Sequence, residues 1–90
     1  MAIAIPIVSD SDNTIKFYNI DFDTQKNYQI KITDIYFCKI VVVDVDGVFF
    51  CNGYVLLEFT LDCVEEGSYK LEIIESLSQD IVNTFLAIVN

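Results

Sequence analysis

Histidine, arginine and tryptophan are absent from this chain of 90 residues, and proline occurs once, at Pro6. Without histidine there is no imidazole base, no histidine metal ligand and no histidine-based triad. Without arginine there is no bidentate phosphate clamp. Basic charge is scarce: five lysines, Lys16, Lys26, Lys31, Lys39 and Lys70, stand against 14 acidic residues, giving a formal net charge of -9. That field repels nucleic acid and anionic membrane surfaces, so neither is expected as a direct partner. No apolar run approaches the roughly 18 residues of a membrane span. The apolar start, Met1 to Val8, has no basic residue ahead of it and runs into Asp10 and Asp12, which is not the pattern of a signal peptide.

What is present is apolar. Hydrophobic residues make up 53% of the chain, including seven phenylalanines and five tyrosines, which excludes an acidic disordered tail. Residues 1–90 are expected to form one domain, since a second would be too small to bury its own core. Cys38, Cys51 and Cys63 form no CxxC pair and lack the partners of a zinc site, so they are expected to be small buried apolar residues.

Apolar residues mostly alternate, the period of a strand. Ile3, Ile5 and Ile7 share a face, with Pro6 marking an edge strand. Ser9 to Asn13 reads as a polar turn, and residues 14–20 as a strand with Ile15 and Phe17 inward. Tyr28, Ile30 and Ile32 alternate with Gln29, Lys31 and Thr33. Residues 35–45 are apolar on both faces, broken only by Lys39 and Asp44, as in a central strand or one whose outer face is covered by something else. Asp46-Gly47 and Asn52-Gly53 both read as type I′ hairpin turns. Residues 54–61 follow, then a Glu65-Glu66-Gly67 turn. A strand over 68–74 has Tyr69, Leu71 and Ile73 inward, with Lys70, Glu72 and Glu75 outward. A last strand spans 81–89. About eight short strands with regular turns predict an all-β, antiparallel β-sandwich. Its expected core is Ile5, Ile15, Phe17, Tyr28, Ile30, Ile32, Phe37, Val41, Val43, Leu57, Phe59, Tyr69, Leu71, Ile73, Phe85 and Ala87.

Motifs that look like chemistry dissolve in context. Val41 to Val48 contains Asp44 and Asp46-Gly47, similar to the first motif of haloacid dehalogenase-type phosphatases. That family needs a longer parallel α/β domain, and the residues after Gly47 show no helical crossover. An EF-hand loop with Gly47 at its sixth position would put Val42 and Gly53 at liganding positions, so it fails at both ends. Asp10 with Asp12, Asp21 with Asp23 and Glu65 with Glu66 read as solvated turns with at most weak cation affinity. Nothing marks a glycosidase pair among the carboxylates. No catalytic residue, no metal ligand and no cofactor is expected.

The chain carries more apolar residues than a sandwich of this size needs, concentrated at 35–50 and 85–89. Such a surplus points to an interface. The expected contact positions are Tyr36, Ile40, Val42, Phe50 and Tyr54.

The stretch Leu61-Asp62-Cys63-Val64-Glu65-Glu66-Gly67-Ser68-Tyr69-Lys70-Leu71-Glu72-Ile73, followed by a polar turn and Ile81 to Val89, resembles a recurrent phrase. It is similar to the end of small immunoglobulin-like β-sandwich proteins encoded by tailed phages of Bacteroidetes hosts, including crAss-like phages. Asn83 and Thr84 depart from it, standing where a glycine is common. The resemblance implies a non-enzymatic virion structural protein, assembled in the host cytoplasm. It would be an auxiliary (decoration) capsid protein that docks on the major capsid protein or on other virion proteins, with self-association a further option. The alternatives are a neck, tail or head-fibre adaptor of the same phage, or a carbohydrate- or calcium-binding adhesion module.

Overall fold

The computed structural model describes residues 4–18 and 22–90. Eight strands follow one another: β1 (Ile5–Ile7), β2 (Ser11–Tyr18), β3 (Tyr28–Asp34), β4 (Ile40–Asp44), β5 (Gly47–Cys51), β6 (Tyr54–Leu61), β7 (Gly67–Glu75) and β8 (Ile81–Val89). The described residues form no helix, hence none long and apolar enough to cross a membrane. Ile3, Ile20 and Asp21 lie outside the described residues, and with them the expected pairing of Asp21 with Asp23.

A five-stranded sheet in the order β1-β8-β7-β3-β4 faces a three-stranded sheet in the order β2-β6-β5. This is an immunoglobulin-like sandwich, with β2, β6 and β5 opposite β8, β7 and β3, and β4 and β1 added at the edges of the larger sheet. Pairing is antiparallel throughout except at β1, which runs parallel to β8. The alternation along each strand explains the core. Ile30, Ile32, Leu57, Leu61, Leu71, Ile73 and Ala87 have no exposed surface, and Phe59 has 1%. Tyr69 lies at the start of β7, and its hydroxyl donates to the carbonyl of Glu65 at 2.7 Å. This is the tyrosine corner of such sandwiches.

The structure corrects several expectations. Residues 35–45 are not one central strand. Asp34 ends β3, and its Oδ1 accepts the N–H of Tyr36 at 2.7 Å and of Phe37 at 3.0 Å. A short acid at a strand end competes for backbone donors and so favours a turn. Cys38 closes that turn at φ 56°, and β4 begins only at Ile40, as an edge strand. Phe37 therefore sits on a turn and is 84% exposed instead of buried. Ile5, Val41, Val43 and Phe85 are partly buried, packed against the core from its margin. Ile7, Val55 and Val89 are buried members of that core.

The β7–β8 turn repeats the same design. Glu75 N–H donates to the Asp80 carbonyl and Gln79 N–H to the Glu75 carbonyl, both at 2.9 Å, with Gln79 at φ 62°. Glu75 Oε2 accepts both the N–H and the hydroxyl of Ser78. Glu75 and Glu72 are buried, not outward and solvated. Glu72 lies between Lys31 and Thr84 in the sheet and meets Lys70 at 3.6 Å.

Asp46-Gly47 is not a hairpin. The chain there leaves β4 in one sheet and enters β5 in the other, and Gly47 does not take a positive φ. What Gly47 supplies is space: a Cβ there would fall 2.9 Å from the Phe49 ring. Asn52-Gly53 does join the paired strands β5 and β6, with φ +88° at Gly53 alone, whereas type I′ requires positive φ at both residues. The polar turn over 9–13 is shorter than expected, because β2 begins at Ser11. Asn13 is buried within β2, exchanging 2.9 Å hydrogen bonds with the backbone of Val8.

All three cysteines are exposed and free, on turns or on the edge strand β5, contrary to the expectation of burial. We expect all three thiols to react with a thiol reagent in the native protein as fast as after denaturation, read as the burst amplitude of a colorimetric titration.

The Ser78 hydrogen bonds hold the Glu75 carboxyl below its ordinary value of 4.5. A lowered folded-state value contributes stability above pH 4.5 that is lost as pH falls through the folded value. Glu75→Gln should lower the melting temperature at pH 7 and flatten its acid decline below pH 4.5, measured by melts across pH.

Candidate functional site

Seven of the thirteen large apolar residues exposed among the described residues, Ile35, Tyr36, Phe37, Ile40, Val42, Phe49 and Phe50, gather on one side of the sandwich, while Val8, Tyr18, Leu77, Ile81, Leu86 and Ile88 lie elsewhere. β4 and β5 are edge strands of opposite sheets, and only Val45 and Asp46 separate them. Two free edges therefore lie next to each other. Ile40 and Val42 point outward from β4 at 55% and 46% exposure. Val41 and Val43 point inward and remain partly open. Phe49 and Phe50 are exposed on β5, and Ile35, Tyr36 and Phe37 on the turn before β4. Neither strand carries a proline or a lysine, the residues that blunt sheet edges elsewhere.

Of the expected contact positions, the structure brings Tyr36, Ile40 and Val42 together on β4 and its preceding turn, with Phe50 on the neighbouring edge β5. Tyr54 stands apart. It lies half-buried on the outer face of the three-stranded sheet, its ring 6.1 Å from that of Tyr18. Lys16 Nζ sits over both rings, 4.5 Å from Tyr54 and 5.9 Å from Tyr18. Sequence reading missed Phe37 and Ile35 as surface residues because it took 35–45 as one strand and gave the Asp34 cap no role. It missed Phe49 because, on a strand with little beyond it, both alternating faces are open.

A cleft of about 160 Å³ opens beside this edge, lined by Asp34, Phe37, Lys39, Val41, Cys63, Val64, Glu65 and Tyr69. Two of its polar groups are engaged in holding turns. Asp34 caps its own turn, and the Tyr69 hydroxyl is committed to the Glu65 carbonyl. Burial, then the charges of Asp34 and Glu65, push the Tyr69 hydroxyl above its ordinary value of 10.0, so it stays protonated at neutral pH. Cys63 has no histidine to activate it, since the chain has none. The cleft can receive a side chain; its groups do not compose a nucleophile and base. A wider recess of about 350 Å³ lies among Asn27, Tyr28, Asp44, Val45 and Ser76.

The acidic turns are likewise occupied with structure. Asp10 Oδ1 accepts the N–H of Cys63 at 2.9 Å, and Asp12 Oδ1 the hydroxyl of Thr60 at 2.8 Å. Asp44 Oδ1 accepts Gln29 Nε2 at 3.1 Å. Among the described residues, no three cysteine or carboxylate side chains converge on a point that could hold a metal ion. Comparison of the chain with known protein families, with curated proteins and with solved structures found no match.

Removing the Tyr69 hydroxyl tests the corner beside the cleft. Tyr69→Phe should cost about 1 kcal/mol at pH 7, the usual value of one hydrogen bond. A raised folded-state value gives stability that is present below pH 10.0 and lost above it, so the variant should also lose less on going alkaline. Urea unfolding at pH 7 and above pH 10 measures both.

Proposed function

We propose that this chain is a non-enzymatic structural protein of a tailed-phage virion, an auxiliary capsid protein that docks on and cements the major capsid protein. The observation that carries this reading is the apolar surface left open on the adjoining edges β4 and β5 and on the turn before them. Large exposed apolar patches on small proteins mark interaction surfaces. Free strand edges add main-chain donors and acceptors that a partner strand satisfies.

The likeness of residues 61–89 to small phage sandwiches supplies the setting. Its physical content is the Gly67 turn, the Tyr69 corner and the last strand β8 paired with β7. A docking role also accounts for the absent residue types, since cementing neighbouring subunits needs complementary surface and no acid, base or nucleophile. The carboxylates, engaged in turns, keep a free subunit charged and soluble before it assembles.

Co-sedimentation with empty shells of the major capsid protein encoded by the same phage tests the reading. The wild-type chain should pellet with the shells. Val42→Lys with Phe50→Lys should weaken binding at least about tenfold, because each replaces an apolar contact worth roughly 1.5–3 kcal/mol when buried. A wild-type chain that stays in the supernatant at all shell concentrations overturns it.

A further inference from the structure

The free edge of β4 is built to pair with itself. In the β3–β4 ladder, Asp34 N–H donates to the Lys39 carbonyl at 2.8 Å and Val45 N–H to the Tyr28 carbonyl at 3.1 Å. Antiparallel pairing alternates, so the odd-numbered residues of β4 spend their backbone groups on β3. The N–H and carbonyl groups of Ile40, Val42 and Asp44 therefore point away from the sheet, without a partner strand.

Consider a second copy laid antiparallel against this edge, with a twofold axis through Val42. Val42 meets Val42, and Ile40 meets Asp44. Every residue of β4 is then paired, and all outward backbone groups find donors or acceptors on the other copy. Registers centred on Val41 or Val43 leave one end of the strand unpaired. The charges fit the same arrangement. The strand is preceded by Lys39 and ends at Asp44, with Asp46 just beyond. Antiparallel self-pairing sets Lys39 of each copy opposite Val45 of the other, next to Asp46, twice per dimer, while Asp44 stays on the other face of the strand. It also brings the exposed turn carrying Tyr36 and Phe37 to the place where the second copy's chain crosses into β5.

The other edges lack these properties. β1 has three residues with Pro6 in the middle, β2 exposes Asp12 and Lys16, and β5 is preceded by Asp46 but has no opposite charge at its other end to set a register. The net charge of -9 opposes self-association at long range, but salt near 0.15 M screens it beyond about 8 Å while leaving adjacent pairs in place.

We propose that the chain forms a twofold homodimer through antiparallel pairing of β4 with β4 of a second copy, joining two five-stranded sheets into one. This rests on the reading of the β4 and β5 edges as a docking surface and assigns β4 to a second copy, which leaves the exposed Phe49 and Phe50 of β5 for the capsid.

The test uses the full chain with reductant, at roughly 0.15 M salt, by sedimentation equilibrium from about 10 μM to about 1 mM. A monomer–dimer equilibrium is expected. The amides of Ile40, Val42 and Asp44 should exchange more slowly as concentration rises, which reads the wild-type protein alone. Val42→Pro removes one outward N–H and no bond to β3, and should weaken the dimer at least about tenfold. Val42→Lys gives the same reading should the proline variant not fold. Lys39→Asp should weaken the dimer, and adding Asp46→Lys should restore it. A chain that stays monomeric at about 1 mM overturns the inference, as does a dimer indifferent to all these changes. A dimer that binds no capsid shell overturns the docking function and leaves the dimer standing; a monomer that binds shells does the reverse.

Discussion

The pairing of β3 with β7 is the constraint on which this fold depends. These two strands form the middle of the larger sheet, and seven residue pairs run from Tyr28 with Glu75 to Asp34 with Tyr69. Their inward rows, Ile30 and Ile32 beside Leu71 and Ile73, are fully buried. They face Leu57, Phe59 and Leu61 of β6, so the sandwich closes around a single apolar layer. At both ends of this ladder an acid ends the strand and caps the turn that follows. Asp34 does so after β3 and Glu75 after β7. Because the two strands are antiparallel, the two caps lie at opposite ends of the molecule and hold the outer strands β4 and β8 in register.

That arrangement changes the meaning of the acidic excess. Asp10, Asp12, Asp34, Asp44 and Glu75 each accept a hydrogen bond from a named backbone or side-chain donor. A carboxylate in such a role is fixed by local structure and is a poor starting point for catalysis. For Asp10, Asp34 and Glu75 the charge accompanies a hydrogen bond that holds a turn.

How much of this was legible in the sequence depended on what each strand touches. Tyr54 to Leu61, Ser68 to Ile74 and Ile81 to Val89 alternate because one face is core and the other is not, so period and burial carry the same information. Residues 35–45 misled because apolar residues on both faces have two causes: burial on both sides, or an edge awaiting a partner. Only the Asp34 cap, seen in three dimensions, separates them. Asp46-Gly47 misled because a hairpin and a crossing between sheets use the same flexible residue, Gly47 here making room for the Phe49 ring. The cysteines misled because small apolar residues are usually buried, whereas Cys38 and Cys63 occupy left-handed turn positions at φ 56° and 55°. The positions on β4 were singled out by surplus alone, and the surplus could not say that Tyr54 belongs to a different face.

The two sheets are unequal. Five strands over three leave β1 and β4 overhanging at opposite edges. The β1 overhang is tied down by polar bonds: Ile7 is fully buried, Asn13 ties the Val8 backbone, and Asn90 N–H donates to the Ile7 carbonyl at 2.9 Å, although Val8 and Ile88 remain exposed. The β4 overhang has no such closure. Its inner valines are only partly covered, its outer face shows Ile40 and Val42, and its backbone groups at those residues point outward. On the docking reading proposed above, this open margin is the one that a partner covers. A strand added there would lie over Val41 and Val43 on one face and beside Ile40 and Val42 on the other, completing for β4 the burial that β3 and β7 already have.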